Sequence, residues 1–499
     1  MARVVPIAVL GLAGCAQVFG LDETTGPGEV APAASLQIDR ISIGATLERA
    51  PLDLTGQVAS YLIADAAEPS GLRRVEATLT ASHDGWTADI PEGTAAAVEF
   101  GVPEDAPYRR LFALPSHTIA TLFGAYEHPS PEPAPMGGTL TATLALPSGY
   151  ATGEYFRIEA IGPWGRHQLS AAELPAVDTG ATSIGPLTIP YDSTGFSSLV
   201  EARPLPKLTA QDRLVALRYV GNDLTAAAVV SPFDQTGGDD PFTATLAPVA
   251  HAPLDVTIDP MATATRLSGT SPPVTSLSMS WSVVAAPAWQ LANNHGPVLQ
   301  AAGVAETDPG AITAAFGNPF TDLGWSSLFT WAANRTRTFT EPSLGLPITL
   351  YAGLNDLDAV APGLVLDQPA GLPVLVSIDK QPLNMDGLTI TIDPTKAVEL
   401  SLVADRPTNL FYQWNVYELV PNAAEPPTAL ARKVVYTALA TETTVTIPND
   451  VFVAGKIYSI RAHCVQGGYP GFSTGDLQDR DVPYAVGYLD SGVFTVAAP

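Results

Sequence analysis

Prolines and glycines interrupt this chain throughout its length, and no other feature restricts its fold as strongly. The 499 residues include 46 prolines and 42 glycines, which are spread along the chain and not confined to repeats. Proline lacks a backbone hydrogen-bond donor and glycine weakens the interior of a helix or strand, so both mark the ends of elements. Between them lie short runs rich in Val, Thr and Leu. This pattern predicts many short strands joined by turns, and therefore a mostly β protein.

The predicted strands show the alternation expected of a sheet with one buried face. In the run LRRVEATLTA, Val75, Ala77 and Leu79 fall on one face and the polar residues between them on the other. A period of two is the geometry of a β-strand, in which successive side chains point to opposite sides. We therefore expect antiparallel β-sandwich domains of immunoglobulin-like type, arranged in tandem.

The chain length predicts three or four domains, because domains commonly contain about 100–200 residues. The proline-rich segment 127–138, EHPSPEPAPMGG, is predicted to be a stiff spacer. We predict one β-sandwich domain over 35–128 (the first region) and another over 139–260 (the second region). Residues 261–372 (the third region) are predicted to be β-rich but not an independent domain. Residues 373–499 (the fourth region) form the last predicted sandwich.

One segment of the third region is predicted to be helical. In DPGAITAAFG, Asp308 is a suitable N-cap, Pro309 suits the first helical position and Gly317 suits the exit. The expected result is one or two turns of helix.

A short apolar run precedes the first cysteine. Residues 4–12 follow a single Arg3, carry no charge and are too few to span a bilayer. Their number suits the apolar segment of a signal peptide. The small residues Ala13 and Gly14 then lead to Cys15, and the resulting motif, LAGC, resembles the lipobox of bacterial lipoproteins.

This resemblance implies that residues 1–14 are a cleaved signal peptide and that Cys15 becomes the lipid-modified first residue of the mature chain. Two or three acyl chains anchor a protein stably, at about 0.8 kcal/mol per buried CH₂. Ala16 stands where Asp commonly signals inner-membrane retention, which favours the outer membrane or cell surface. Residues 15–34 are predicted to be a flexible tether. A plain secretory signal with an incidental cysteine is the alternative.

The fourth region carries the clearest strand pattern. Its segment VFVAGKIYSIRA, residues 451–462, resembles the late-strand signature of fibronectin type III domains. Gly455 lies in the turn, and Tyr458, Ile460 and Ala462 alternate along the strand. The resemblance implies a fibronectin type III-like β-sandwich in which the Tyr458 side chain ties its strand to the preceding loop.

The charge balance restricts the possible partners. Fifty acidic residues against 24 basic residues give a net charge of -26, which repels phosphate backbones, so nucleic-acid binding is not expected. No glycine-rich phosphate loop follows a strand and opens a helix, so no nucleotide or other cofactor is expected. The expected partners are a membrane, through the lipid anchor, and an unidentified protein or glycan.

The second cysteine is predicted to be structural. If Cys15 carries lipid, Cys464 has no partner for a disulfide within the mature chain. Because neighbouring strand residues point to opposite faces, His463 points away from Cys464 and does not activate it. We expect a buried, unreactive thiol.

The other motifs with catalytic chemistry do not meet their structural requirements. GFSTG, residues 471–475, matches a nucleophile elbow around Ser473, but no helical pattern or histidine follows it, so we interpret it as a turn. The histidines lack the spacing of a zinc site; they are His83, His117, His128, His167, His251, His295 and His463. No catalytic residue is therefore predicted.

Acidic loop residues are the remaining candidates for a metal site. Asp476, Asp479 and Asp481 share one loop, and Asp239 and Asp240 share another. Loop carboxylates at short spacing are typical Ca²⁺ ligands, although neither loop has the spacing of an EF-hand. Solvated loop charges are the alternative interpretation, and no metal site is predicted beyond these calcium candidates.

Two functional hypotheses follow. The first is a lipid-anchored cell-envelope protein that is not an enzyme and that acts in binding, adhesion or structure. The second is a membrane-anchored extracytoplasmic hydrolase, acting on carbohydrate, whose sandwich domains are accessories. The second hypothesis requires two carboxylates facing each other across a cleft at about 5–9.5 Å.

Overall fold

A computed structural model of the chain describes residues 34–43, 47–90, 94, 96–102, 108–122, 128–130, 132–135, 137–161, 165–169, 174, 177–192, 195–196, 205–287, 296–407 and 409–497. Strands dominate these residues and most strand pairs are antiparallel, which confirms the predicted mostly β fold of sandwich type. Cys15 and His295 lie outside the described residues. Within these ranges no helix is both long and apolar enough to cross a membrane.

The first region is a sandwich of two sheets. Its strands are β1 Ala34–Ile43, β2 Leu47–Pro51, β3 Val58–Ala64, β4 Leu72–Glu76, β5 Thr78–Leu79, β6 Gly85–Ala88, β7 Ala96–Val102, β8 Tyr108–Ala113 and β9 Thr118–Leu122. One sheet has the order β2-β1-β6-β5 with β9 beside β1, and the other has the order β4-β3-β7-β8. Tyr61, Phe100 and Phe112 of the second sheet join Leu36 and Trp86 of the first in one buried core.

The second region forms a second sandwich. Its strands are β10 Thr139–Ala145, β11 Glu154–Ala160, β12 Gly165–Leu169, β13 Ser183–Pro190, β14 Asp212–Val220, β15 Asp223–Phe233, β16 Asp239–Thr245, β17 Ala247–Pro248 and β18 Ala252–Thr257. β10 lies between β13 and β16 in one sheet, whereas β11 and β14 are central to the other. Leu140, Phe156, Ile158 and Phe242 pack together in its core.

The third region contains the α-helix of the described chain and two long strands. Its elements are α1 Pro260–Ser268, β19 Ser276–Ala286, β20 Val298–Val304, β21 Ala311–Phe316, a 3-10 helix Thr321–Leu323, β22 Ser326–Glu341, β23 Leu346–Ala359 and β24 Leu364–Val365. β19, β22 and β23 form an antiparallel sheet, and the long pairing of β22 with β23 runs from Leu328–Ala359 to Glu341–Leu346.

The fourth region completes the molecule. Its strands are β25 Pro373–Ile378, β26 Gln381–Pro382, β27 Leu388–Ile390, β28 Val398–Ala404, β29 Phe411–Pro421, β30 Leu430–Ala440, β31 Thr444–Ile447, β32 Ile457–Gly467, β33 Tyr484–Asp490 and β34 Phe494–Val496. The 3-10 helices Asn449–Val451 and Phe472–Thr474 connect some of them. Tyr458 accepts a hydrogen bond at its hydroxyl from the backbone N–H of Val453 at 2.9 Å, which confirms the expected tie between strand and loop.

Strand pairing continues across the predicted region boundaries. β8 of the first region lies parallel to β30 of the fourth, and β23 of the third region pairs with β33 of the fourth. β18 of the second region pairs with β21 and β24 of the third. One core cluster contains residues of all four regions. The regions are therefore joined by shared sheets and a shared core, and not by the chain connections alone.

The helix predicted at residues 308–317 is wrong, because this segment contains β21. Asp308 does not cap a helix; its carboxylate accepts a hydrogen bond from the backbone N–H of Ala305, at 2.7 Å, and closes a turn. Ile312 and Phe316 are buried whereas Ala311, Thr313 and Ala315 are exposed, so burial follows a period of two. Pairing with β18 stabilises the segment as a strand.

The observed helix α1 begins with the same two residue types. The Asp259 carboxylate accepts a hydrogen bond from the backbone N–H of Ala262 at 2.8 Å, and Pro260 occupies the first helical position. Such a cap stabilises a helix by about 1 kcal/mol. Ala264 and Leu267 are buried on one face of the helix. The two segments differ because α1 buries one face of a helix, whereas β21 pairs with the neighbouring strand β18.

Candidate functional site

A concave surface lies where the first region meets the fourth. In β3, Tyr61 and Ile63 point into the first-region core, while Ser60 and Leu62 point to the opposite face. Residues of that opposite face, on β3, β4, β7 and β8, form part of the lining of three cavities of about 350, 680 and 240 Å³. We call this surface the junction groove, because β30 and β31 of the fourth region border it.

A buried carboxylate marks the polar end of the junction groove. Strand register places Glu76 and Glu99 on either side of Ser60, in neighbouring strands and on the same face. Only 2% of the Glu99 side chain is exposed. One of its oxygens is 2.7 Å from Nη1 of Arg74, and the other is 3.6 Å from Nη1 of Arg109. A buried charge needs such partners, so the two guanidiniums compensate its desolvation.

Tyr436 of the fourth region completes the environment of Glu99. Its hydroxyl donates a hydrogen bond to Oε1 of Glu99 at 2.9 Å, and the guanidinium of Arg109 lies over its ring at 5.4 Å. Burial, and then the adjacent Glu99, raises the pKa of Tyr436 well above its ordinary value. Tyr436 therefore remains a neutral hydrogen-bond donor over the physiological pH range.

Further contacts hold both arginines in place. Arg109 makes a bidentate pair with Asp450, with N–O distances of 3.1 and 2.8 Å. Arg74 donates from Nη1 to the hydroxyl of Ser60 at 2.7 Å. Bidentate and charge-assisted bonds restrict a guanidinium to one orientation. The polar end is thus rigid before any ligand arrives, although about half of the Arg74 side chain remains exposed.

The other end of the junction groove is apolar and lined by small side chains. Leu62, Leu72, Ala97 and Ala113 border the 680 Å³ cavity from the first region, and threonines of the β31 segment border it from the fourth. Small side chains leave this volume open because they cannot fill the space between the sheets. A ligand in the groove would meet fixed charges at one end and aliphatic surface at the other.

Cys464 and Ser473 were the two nucleophile candidates that the sequence analysis rejected. Cys464 is buried in the core, as predicted, and burial raises the pKa of its thiol. His463 lies on the opposite face of β32, where its Nε2 is 3.2 Å from the side-chain nitrogen of Asn415. Burial lowers the pKa of His463 to about 3. Ser473 is exposed in the 3-10 helix Phe472–Thr474, and Gly475 ends that turn with a positive φ.

The calcium candidates do not converge on one point. Asp476 accepts a hydrogen bond from the backbone N–H of Gln478, and Asp481 accepts one from the backbone N–H of Val482. Asp479 forms an ion pair with Arg49 at 2.6 Å. Among the described residues, no group of three or more His, Cys, Asp or Glu side chains is arranged to hold a metal ion.

The second predicted acidic loop is also occupied by local hydrogen bonds. Asp239 accepts from the hydroxyls of Thr139 and Thr141, and Asp240 accepts from the backbone N–H and hydroxyl of Thr236. The two residues do not lie in a loop as predicted but begin β16, which pairs with β10, so their local role is structural.

Sequence reasoning did not identify the residues of the junction groove. Glu99 interrupts the apolar run AAAVEFGV of β7, and a single charge inside such a run was the available signal. Its partners could not be inferred in the same way. Tyr436 lies 337 residues further along the chain and reaches Glu99 only because β30 pairs with β8.

Comparison with known proteins does not assign this chain to a family. No protein-family model matches the chain, and no curated protein matches it. Among solved structures, the chain is similar to Escherichia coli alpha-2-macroglobulin activated by porcine elastase, with 11% sequence identity and a TM-score of 0.14. The match covers 93% of this chain but only 43% of that chain. At this TM-score, the similarity carries no argument about fold or function.

Proposed function

We propose that this chain is a lipid-anchored protein of the bacterial cell envelope, held at the outer membrane or cell surface, that acts by non-catalytic binding, adhesion or structural contact. The junction groove is its proposed binding surface. The observation that carries this proposal is the position of the Glu99 carboxylate, which Arg74, Arg109 and Tyr436 hold in place. A preorganised set of charges and donors beside an apolar surface is typical of a ligand-binding site.

Hydrolysis by paired carboxylates is the second hypothesis, and the same cluster favours binding over it. Glu76 and Glu99 line the groove together, but a glycosidase needs one carboxyl group that donates a proton. Both oxygens of Glu99 already contact Arg74, Arg109 or Tyr436, so its carboxyl group is not free to contact a glycosidic oxygen.

The proposed attachment rests on LAGC and on the acyl chemistry that the lipobox resemblance implies for Cys15. We include a membrane as the partner of the lipid and an unidentified protein or glycan as the partner of the folded regions. The net charge of -26 disfavours nucleic acid. No cofactor is part of the proposal.

Substitution of Cys15 tests the attachment. In a bacterial host, the wild-type chain is expected to incorporate a labelled fatty acid and to fractionate with membranes, whereas Cys15→Ser is expected to do neither. The matched control is Cys464→Ser, which should retain the label because Cys464 is buried in the core. A wild-type chain without lipid, or a Cys15→Ser variant that still carries lipid, would contradict the proposal.

Turnover assays test the absence of catalysis. The purified chain is expected to leave envelope glycans and peptides intact during long incubation. Hydrolysis that is lost in both Glu99→Gln and Glu76→Gln, with wild-type circular dichroism, would replace the binding role by the hydrolase hypothesis. The Arg49→Lys variant is the control, because Arg49 pairs with an exposed aspartate elsewhere on the surface.

A further inference from the structure

Arginine and tyrosine side chains alternate across one face of the sheet that joins β23, β33, β32, β29 and β30. The order is Tyr417, Arg432, Tyr351, Arg461 and Tyr488, and we call it the arginine–tyrosine ladder. Each guanidinium lies over two rings, at 5.9 and 5.5 Å for Arg432 and at 5.6 and 5.3 Å for Arg461. Such stacking holds the guanidinium planes in fixed orientations.

A single carboxylate fixes the ladder from below. Asp490 is fully buried and accepts two bonds from Arg461, at 2.7 and 2.9 Å, and one from Arg432 at 2.8 Å. It also accepts from the backbone N–H of Tyr351 at 2.8 Å. Two guanidiniums against one carboxylate leave a local charge of +1 on a chain whose net charge is -26.

Among the described residues, Nη1 of each guanidinium has no hydrogen-bond partner, and Arg432 also leaves its buried Nε without one. Arg461 uses Nε and Nη2 for Asp490, and Arg432 uses Nη2 for Asp490 and for the carbonyl of Thr349. No group in the described part of the chain bonds to Nη1 of either arginine. Both side chains are about one-fifth exposed, so these nitrogens belong to a surface that a ligand can approach.

Amide side chains lie beside the ladder on the same face. Register places Tyr488 opposite His463, and His463 opposite Gln413. Gln413 donates to the side-chain oxygen of Asn415 at 3.0 Å, and Tyr488 donates to that of Asn334. The side chains of Gln413, Asn415 and Asn334 are all partly exposed. Amide groups can donate and accept at once, which is what adjacent sugar hydroxyl groups require.

We propose that the arginine–tyrosine ladder binds a glycan through a sugar unit that carries an isolated carboxylate. The carboxylate would pair with the free nitrogens of Arg432 and Arg461, and the neighbouring amides would bond to ring hydroxyl groups. Charge complementarity is local, because the overall charge of the chain repels a densely charged polymer but is screened beyond about 8 Å at physiological salt. The site is separate from the junction groove and does not require the lipid anchor.

A sugar fits this face better than an acidic peptide does. Protein interfaces have an apolar core, so a bound peptide would also need exposed apolar surface beside the ladder. Among the described residues, the exposed large apolar side chains all lie elsewhere, on none of the strands β29, β30, β32 and β33. The ladder instead offers fixed polar donors and ring edges. An acidic peptide is therefore the competing outcome in the test below.

Calorimetric titration of the purified full-length chain tests the proposal. The probe is aldotetraouronic acid, a xylotriose that carries one glucuronate, and its neutral match is xylotriose. We expect the charged sugar to bind at least about tenfold more tightly, with an affinity that falls as salt rises. Arg432→Lys and Arg461→Lys should each lose about tenfold, because lysine keeps the charge but not the planar donor.

Two further variants separate binding from folding. Gln413→Ala removes a partly exposed amide that does not contact Asp490, and we expect it to weaken binding several-fold without changing the unfolding midpoint. Arg49→Lys is the control and should bind as the wild type does. Unchanged affinity in Gln413→Ala and both lysine variants would overturn the proposal. Equal affinity for xylotriose, or for a short peptide with one glutamate, would overturn it as well.

Discussion

Two clusters in different regions contain the same kinds of residues but differ in the hydrogen bonds of their buried acid. In the second region, Glu159 is buried beside Arg157 and Arg166, and Arg157 lies over the stacked rings of Tyr155 and Tyr219. Asp490 of the fourth region is buried beneath the two arginines and three tyrosines of the ladder, of which Tyr351 belongs to the third region. Both clusters place one acid, two arginines and tyrosine rings on a sheet face. They therefore allow the effect of hydrogen bonding to be separated from the effect of composition.

The clusters differ in the hydrogen bonds that the carboxylate accepts. Asp490 accepts four hydrogen bonds from charged or backbone donors. The arginines nearest to Glu159 are 3.8 and 3.9 Å from Oε1, and that oxygen has no hydrogen bond from any described residue. Burial raises the pKa of Glu159, although Arg166 and Arg157 oppose this. Proximity to two arginines is thus insufficient to stabilise a buried charge; the bond geometry decides.

Removing the charge of Asp490 tests this comparison with the largest expected effect. Asp490→Asn should lower the free energy of unfolding by about 4 kcal/mol, because two partly buried guanidiniums lose their common partner. Urea unfolding followed by circular dichroism measures the change. The control is Asp479→Asn, whose exposed pair with Arg49 should contribute less than about 1 kcal/mol. Equal effects of the two substitutions would contradict the role assigned to Asp490.

A third acid, Asp356, extends the comparison to a charge without any hydrogen bond. It is 4% exposed, and neither carboxylate oxygen has a hydrogen-bond partner among the described residues. Burial raises its pKa from 3.8 to about 7, with Arg266 opposing the shift. The folded state therefore binds a proton more tightly than the unfolded state. The stability from protonated Asp356 is present below about pH 4 and is lost as the pH rises to about 7.

Asp356→Asn should remove this pH dependence. At pH 8 the variant is expected to exceed the wild type in unfolding free energy by roughly 4 kcal/mol, and near pH 4 the two should agree. Urea titrations at several pH values between these limits provide the measurement. A difference that is constant with pH would show that packing, and not protonation of Asp356, separates the two proteins.

Substitution of Glu159, the other acid of the opening comparison, has the smallest expected effect. Glu159→Gln should leave the unfolding free energy at pH 7 unchanged or raise it by about 1 kcal/mol, since it removes a poorly bonded buried charge. Its advantage should shrink as the pH falls and Glu159 becomes protonated in the wild type. Thermal unfolding at pH 5 and pH 8 tests this. A loss above about 2 kcal/mol would mean that Arg157 and Arg166 depend on the Glu159 charge.

Local patterns were sufficient for the character of the strands. Alternation placed Cys464 inward and His463 outward on β32. These predictions depend only on the period of two that every strand imposes on its side chains. The same reasoning could not separate Asp308 from Asp259, since both precede proline and both are suitable helix caps. Only the packing partner of each segment made one a strand and the other a helix.

The sequence by itself therefore determined the class of fold and the faces of individual strands. Tertiary structure alone decided which strands meet, and with them both candidate surfaces. Glu99 meets Tyr436 through the pairing of β8 with β30, and the ladder draws its side chains from five strands. The physical reason is range: backbone geometry fixes side-chain direction locally, whereas sheet order depends on which apolar faces bury one another across the whole chain.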